Sequence, residues 1–262
     1  MSDTHIQHTI AALVPVGSHV LDLGCGDGAL LQQLVRQRRC TGYGIEIDDA
    51  NVLACVRRGV NVLQLNLHQG LAAFQDQSFD VVLQIDTLQH LRNAETMLRE
   101  TARVGRVGIV AFPNFAHWPN RLSVARGRMP VTRRLPYQWY DTPNIRVGTF
   151  RDFEALAKKN GLKVLDAFGL QDGRTVRWLP NARASTAVFK LQRAQTGGAR
   201  DWTHRPIAGS PHIRALWMGA WPAYSQRRPG GHVLQRRFGL LASAPVRLRR
   251  VRPDRGAVGR LP

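Results

Sequence analysis

Residues 20–31 read VLDLGCGDGALL. An apolar run carrying one acid, Asp22, leads into Gly24-Cys25-Gly26-Asp27-Gly28 and then into a second apolar stretch with helical spacing. This is a β-strand feeding a tight turn that opens a helix, the first unit of an open parallel sheet. Glycine at every second position lets the backbone take positive φ and come close to a ligand. Glu46 ends the next apolar run, with Ile47 after it. A carboxylate about 20 residues beyond such a loop can accept the hydroxyls of a ribose. Each charge-assisted hydrogen bond of that kind contributes about 1.5–3 kcal/mol net.

The spacing separates two classes of nucleotide. Dinucleotide sites use G-x-G-x-x-G and rest a pyrophosphate on the helix N-terminus. Here the spacing is G-x-G-x-G, flanked by Asp22 and Asp27, and two carboxylates repel a pyrophosphate. S-adenosylmethionine has no phosphate and presents a sulfonium and an ammonium. The loop therefore reads as a site for S-adenosylmethionine or its demethylated product, S-adenosylhomocysteine. Asp22, Gly24, Cys25, Gly26, Asp27, Gly28, Glu46 and Ile47 form its expected lining. Adenine needs an acceptor for its exocyclic amine. Asn66-Leu67-His68 follows the third strand, and the Asn66 side-chain carbonyl suits that task. The plainer alternative is that Asn66 turns the chain. Asp86, after the fourth strand, completes the expected set.

Working outward, residues 16–112 alternate short apolar runs with amphipathic stretches, the rhythm of a parallel sheet covered by helices. Strands are expected at 19–23, 41–47, 60–65, 79–85 and 107–112. Helices are expected at 29–36, from a cap at Asp48 or Asp49 to Arg57, and at 94–104. A further helix at 151–160 ends at Gly161. Strands at 163–168 and 185–191 bring the total to seven, with Asp172-Gly173 as a turn between them. The expected class is α/β: a doubly wound, mostly parallel seven-stranded sheet of Rossmann-like type, formed by residues 1–193. Residues 113–148 are rich in proline, arginine and aromatics and show little periodicity. They are expected to lie over the carboxyl ends of the strands, where ligands bind in open α/β sheets. Trp118, Tyr137, Trp139 and Tyr140, mixed with Arg121, Arg126, Arg128, Arg133 and Arg134, have the composition of a binding hot spot. A structural lid is the rival reading.

The net charge is +19 but uneven. Residues 194–262 hold 13 arginines against Asp201 and Asp254, which leaves +8 for residues 1–193. That segment contains no lysine, glutamate or asparagine, and no apolar period survives for long. It is expected to be disordered. Its bias is what a GC-rich gene yields in the wrong frame, so a frameshift or read-through product is the expected origin. A genuine basic tail meeting RNA or an acidic partner is the alternative. No stretch approaches the roughly 20 apolar residues of a membrane helix. The first residues lack a signal-peptide pattern, so the cytoplasm is the default compartment. Cys25, Cys40 and Cys55 suggest neither a disulfide framework nor a zinc site.

Other blocks are more specific than the glycine loop. GYGIEID (42–48), QSFDVVL (77–83), TLQHL (87–91), and above all VAFPNFAHWPNRL (110–122), GRMPVTRRLPYQWYDTPNIR (127–146) and TFRDFEAL (149–156) resemble the MetW family of methionine-biosynthesis proteins. The resemblance covers about residues 10–193; the loop alone marks only the class I methyltransferase superfamily. It implies that superfamily's fold and a role beside the homoserine O-acyltransferase MetX, as partner or activator. No methyl acceptor is settled for such proteins. The chain departs from the family pattern at Asn66, where an acid is expected, and at Arg146, where a histidine is expected.

Methyl transfer to oxygen or nitrogen needs a base or aligning dipole within hydrogen-bond reach of the sulfonium methyl. After the fourth strand the choices are Asp86, Gln89 and His90; after the fifth they are Asn114, His117 and Trp118. His90, Asn114 and His117 are the candidate catalytic residues. Against that, His90 suits an exposed helix start and His117 suits packing on Trp118. Residues 112–115 also lack the NPPY pattern of amino methyltransferases. Three functions follow: a ligand-binding partner of the acyltransferase, a working methyltransferase on a small metabolite, and an RNA-binding protein whose affinity resides in the basic tail.

Overall fold

The apolar runs become β1 (His19–Leu23), β2 (Thr41–Glu46), β3 (Val62–Gln64), β4 (Phe79–Ile85) and β5 (Gly105–Pro113). They pair in parallel in the order β3-β2-β1-β4-β5. The structure, a computed structural model, describes residues 2–194, with side chains from His5 onward. The expected disordered basic tail lies, beyond Ala194, outside the described residues.

Alternation along the strands explains the two helical layers. Val20, Val81, Leu83, Ile109 and Ala111 face a cluster built with α1 (Ser2–Leu13) and α2 (Ala29–Arg38). Leu21, Leu23, Ile45 and Val82 point the other way, onto Met97 and Val104 of α4 (Ala94–Val104). Val110 and Phe112 meet Phe150, Phe153 and Ala157 of α6 (Phe150–Lys159) on that same second face. Asp48 caps α3 (Asp49–Arg57) by accepting from the Asn51 N–H at 2.9 Å, and Thr149 caps α6 through the Asp152 N–H at 3.1 Å.

Beyond β5 the sheet changes direction. β8 (Thr186–Arg193) runs antiparallel between β5 and β6 (Leu162–Gln171), and β7 (Arg174–Val176) adds an edge. The sheet therefore has eight strands, one more than the seven expected. Asp172 and Gly173 both take positive φ, 49° and 79°. That is the twist a two-residue hairpin needs, and it folds residues 174–176 back onto β6. Three mostly exposed residues carry no periodicity, so only the turn was legible.

Other differences have local causes. α1 was not anticipated. α2 runs on to Arg38, where Arg39 stops it at φ 53°. α5 (Trp118–Ala125) interrupts the aperiodic 113–148 segment, with Pro119 tolerated in its first turn; α7 (Pro180–Arg183) is a single turn. Among the described residues no helix is long and apolar enough to cross a membrane.

Candidate functional site

The glycine loop is fastened to the end of β2: the Gly24 and Cys25 N–H groups donate to the Ile45 carbonyl at 2.8 and 3.0 Å. Gly24, at φ 71°, lies so close to β4's exit that an added Cβ would meet Thr87 Oγ1 at 2.7 Å. Gly28, at φ 76°, turns the chain into α2, and a Cβ there would meet Cys55 Sγ at 2.8 Å. Both glycines are thus fixed by conformation and by space. Cys25 and Cys55 bring their sulfurs to 3.8 Å. Burial, with Asp22 and Cys55 alongside, pushes the Cys25 thiol well above its ordinary value.

The three expected acids separate into three roles. Asp27 is held by the Ala29 N–H at 3.1 Å and by Arg58 Nη2 at 2.5 Å, so its charge is already compensated at the surface. Glu46 Oε2 accepts from the Gly26 N–H at 2.8 Å, while Oε1 accepts from Ile47 and Asp48 N–H groups at 2.8 and 3.0 Å. Of the roughly four acceptor sites of a carboxylate, three are occupied and one is left for a ligand hydroxyl. Asp22 is only 3% exposed and meets no hydrogen-bond donor among the described residues. Burial first, and the nearby Glu46 charge second, raise its pKa from 3.8 to about 7.

Two cavities meet at Gly24, Ile85 and Asp86. The smaller, about 220 Å³, is lined by Asp22, Cys25 and Asp27, with Ile6 and Gln7 of α1 across from them. The larger, about 470 Å³, is lined by Glu46, Ile47, Asn66, Leu67, Thr87 and His90 among others. All eleven expected binding positions except Gly28 line one cavity or the other. Ile6, Gln7, Thr87 and His68 were not foreseen. The spacing of Ile6, Ile10 and Val14 was a readable helical signal. Asn66 accepts from the His68 N–H at 2.9 Å and starts the 3-10 turn Leu67–Gln69, so it turns the chain while lining the cavity.

A family profile described as "Methionine biosynthesis protein MetW" matches residues 5–191. The chain belongs to the MetW family. Its relatives include the bifunctional methionine biosynthesis protein MetXA/MetW of Rhodopirellula baltica, 35% identical over 201 residues, which are 71% of this chain and 32% of that protein. The chain therefore spans about a third of that relative's length. A ubiquinone biosynthesis O-methyltransferase of Pseudomonas fluorescens is 31% identical over 162 residues, 59% of this chain and 68% of that one. Among solved structures, a SAM-dependent methyltransferase of Thermotoga maritima, described as a possible histamine N-methyltransferase, superposes with a TM-score of 0.54. It is 15% identical and covers 72% of this chain and 89% of its own, which shows the fold. This MetW-family chain has a methyltransferase fold.

The blocks that mark the MetW family mostly build the 113–148 segment, which contacts the turn after β4. Arg134 Nη2 reaches Asp86 Oδ1 at 2.5 Å, and Asp86 itself sits at φ 54° where both cavities meet. His90 Nδ1 lies 3.1 Å from the Pro143 carbonyl. The Gln89 carbonyl accepts from Ile145 and Arg146 N–H groups at 3.0 and 3.1 Å. Arg146, which stands where a histidine was expected, donates to the Leu91 and Arg92 carbonyls. Its role is to tie the segment to the turn after β4.

Asn114 and His117, two of the three expected catalytic residues, line neither cavity of the cleft. Asn114 is 1% exposed; its amide donates to the Asn181 and Ala184 carbonyls at 3.0 and 2.8 Å, and its carbonyl accepts from Ala116 and Phe150 N–H groups. It is a buried knot joining β5, α6 and α7. Asn114→Ala should cost about 2–4 kcal/mol of stability, because several buried backbone groups lose their partner; urea unfolding checks this. His117 begins α5 and lines neither cavity of the cleft; burial lowers its pKa. Of the three, His90 alone lines the cleft, in the larger cavity with Glu46 and away from Asp22.

Proposed function

We propose that this protein holds S-adenosylmethionine or S-adenosylhomocysteine in the Asp22–Glu46 cleft and acts as the partner of a homoserine O-acyltransferase of the MetX type. The observation that carries the ligand reading is Asp22: a buried carboxylate, facing a cavity, without a donor of its own. The ligand's α-ammonium supplies what is missing there, and a pyrophosphate would make the deficit worse. The larger cavity takes the adenosine, with Glu46's remaining acceptor site for a ribose hydroxyl and Ile47 and Leu67 beside the base. The partner reading is supported by the Rhodopirellula relative, a bifunctional protein whose name joins MetXA and MetW.

Calorimetry of the full chain tests the ligand reading. S-adenosylmethionine and S-adenosylhomocysteine should bind and NAD should not; the reverse pattern would overturn it. The ammonium requires ionised Asp22, whose proton leaves near pH 7 in the free protein. Affinity should therefore rise about tenfold per pH unit up to pH 7 and level off above it. Methylthioadenosine, which lacks the ammonium, should show no such dependence. Methyl transfer is a separate matter, raised by the O-methyltransferase relative. S-adenosylhomocysteine accumulating only when cell extract is added would establish it.

A further inference from the structure

Residues 113–148 contain six arginines and one acid, Asp141. Arg134 and Arg146 are used to hold the segment in place. Arg126 and Arg128 are not: among the described residues neither has a carboxylate partner, and both stand exposed at the end of α5. Between them and the 137–140 stretch runs an open groove of about 770 Å³ with Met129, Val131 and Trp139 in its walls. These three apolar side chains are 53%, 48% and 71% exposed. Tyr140 lies edge-on to Trp139 at 5.7 Å and is equally exposed at 71%.

The groove is built rather than frayed. The Arg126 N–H closes α5 onto the Leu122 and Ser123 carbonyls, and the Arg128 N–H returns to the Ser123 carbonyl at 3.0 Å. Thr132 and Leu135 bridge each other at 2.9 and 3.1 Å, and Arg134 anchors the next turn on Asp86. A surface whose loops are already ordered loses less entropy on binding. Trp, Tyr and Arg are also the side chains that dominate binding energy at protein interfaces.

We propose that this groove is the docking site for an acidic segment of the partner protein, carrying one aliphatic or aromatic side chain between two carboxylates. This deepens the partner reading above and rests on it. The two guanidiniums supply charge complementarity, bidentate toward carboxylates, while Met129, Val131 and Trp139 take the apolar anchor. Nucleic acid fits less well, because aliphatic walls do not stack bases and two cations neutralise little of a phosphate chain. The groove lines no part of the ligand cleft, so its loss should leave ligand uptake intact.

The test uses the full chain and the homoserine O-acyltransferase from the same genome, with affinity measured by surface plasmon resonance. Arg126→Glu with Arg128→Glu should weaken the complex at least tenfold, as should Trp139→Ala. Wild-type affinity should fall as salt rises. S-adenosylhomocysteine uptake and melting temperature should stay unchanged in both variants, which excludes misfolding as the cause. A complex of unchanged affinity in both variants overturns the groove assignment and leaves the partner reading standing. Absence of any complex with the wild-type chain removes both. Loss of RNA-oligomer binding in the charge-reversed variant, with acyltransferase affinity intact, assigns the groove to nucleic acid and also overturns the proposal.

Discussion

Replacing Asp22 by asparagine should cut S-adenosylmethionine affinity more than about 100-fold and, at pH 8, raise the melting temperature of the ligand-free protein. The two effects share one cause. In the unfolded chain this carboxyl loses its proton near its ordinary 3.8; in the fold it keeps it to about 7. Between those values the folded state binds more protons, so stability falls as pH rises, by at most about 1.4 kcal/mol per unit, and levels off above pH 7. Asparagine carries no charge to desolvate and recovers part of that deficit, on the order of 1–4 kcal/mol. At pH 4 the gain should disappear. The same substitution leaves a ligand ammonium without a counter-charge in a buried site, which costs about 3–5 kcal/mol. A side chain retained for structure alone would show the opposite sign of stability change.

Phe189→Ala should cost about 3–5 kcal/mol of stability, with a fall in melting temperature on the order of 10 °C. Phe189 is 0% exposed on β8, the strand held between β5 and β6. Its ring centroid lies 4.6 Å from those of Phe150 and Phe153 and 6.2 Å from Phe112. Removing it leaves a void that three surrounding rings and a paired strand cannot close. Urea unfolding should show a lower midpoint with an unchanged slope. A loss below about 1 kcal/mol would mean that the second face of the sheet packs far more loosely than the contacts indicate.

The parallel half of the sheet was readable because strands buried on both faces write unbroken apolar runs, as in FDVVLQI, and because glycines at alternate positions announce the loop. β7 was not readable, since three mostly exposed residues leave no pattern. α1 leaves a helical signal in the spacing of Ile6 and Ile10, with Val14 just beyond its end. In the site, the positions of Asp22 and Glu46 followed from spacing, yet their different duties did not. Which acid is neutralised by Arg58, which is held by backbone amides and which stands bare depends on contacts 20–31 residues away in sequence. The surroundings of Asn114 were illegible for the same reason, since its partners lie at 150, 181 and 184.

The most direct measurement is calorimetric titration of the full chain with S-adenosylmethionine at pH 7 in two buffers of different ionisation enthalpy. A buried acid half-protonated at that pH, ionised by the arriving ammonium, should release about half a proton per ligand bound. Binding with no proton release, or heat only from a nicotinamide dinucleotide, would contradict the role given to Asp22.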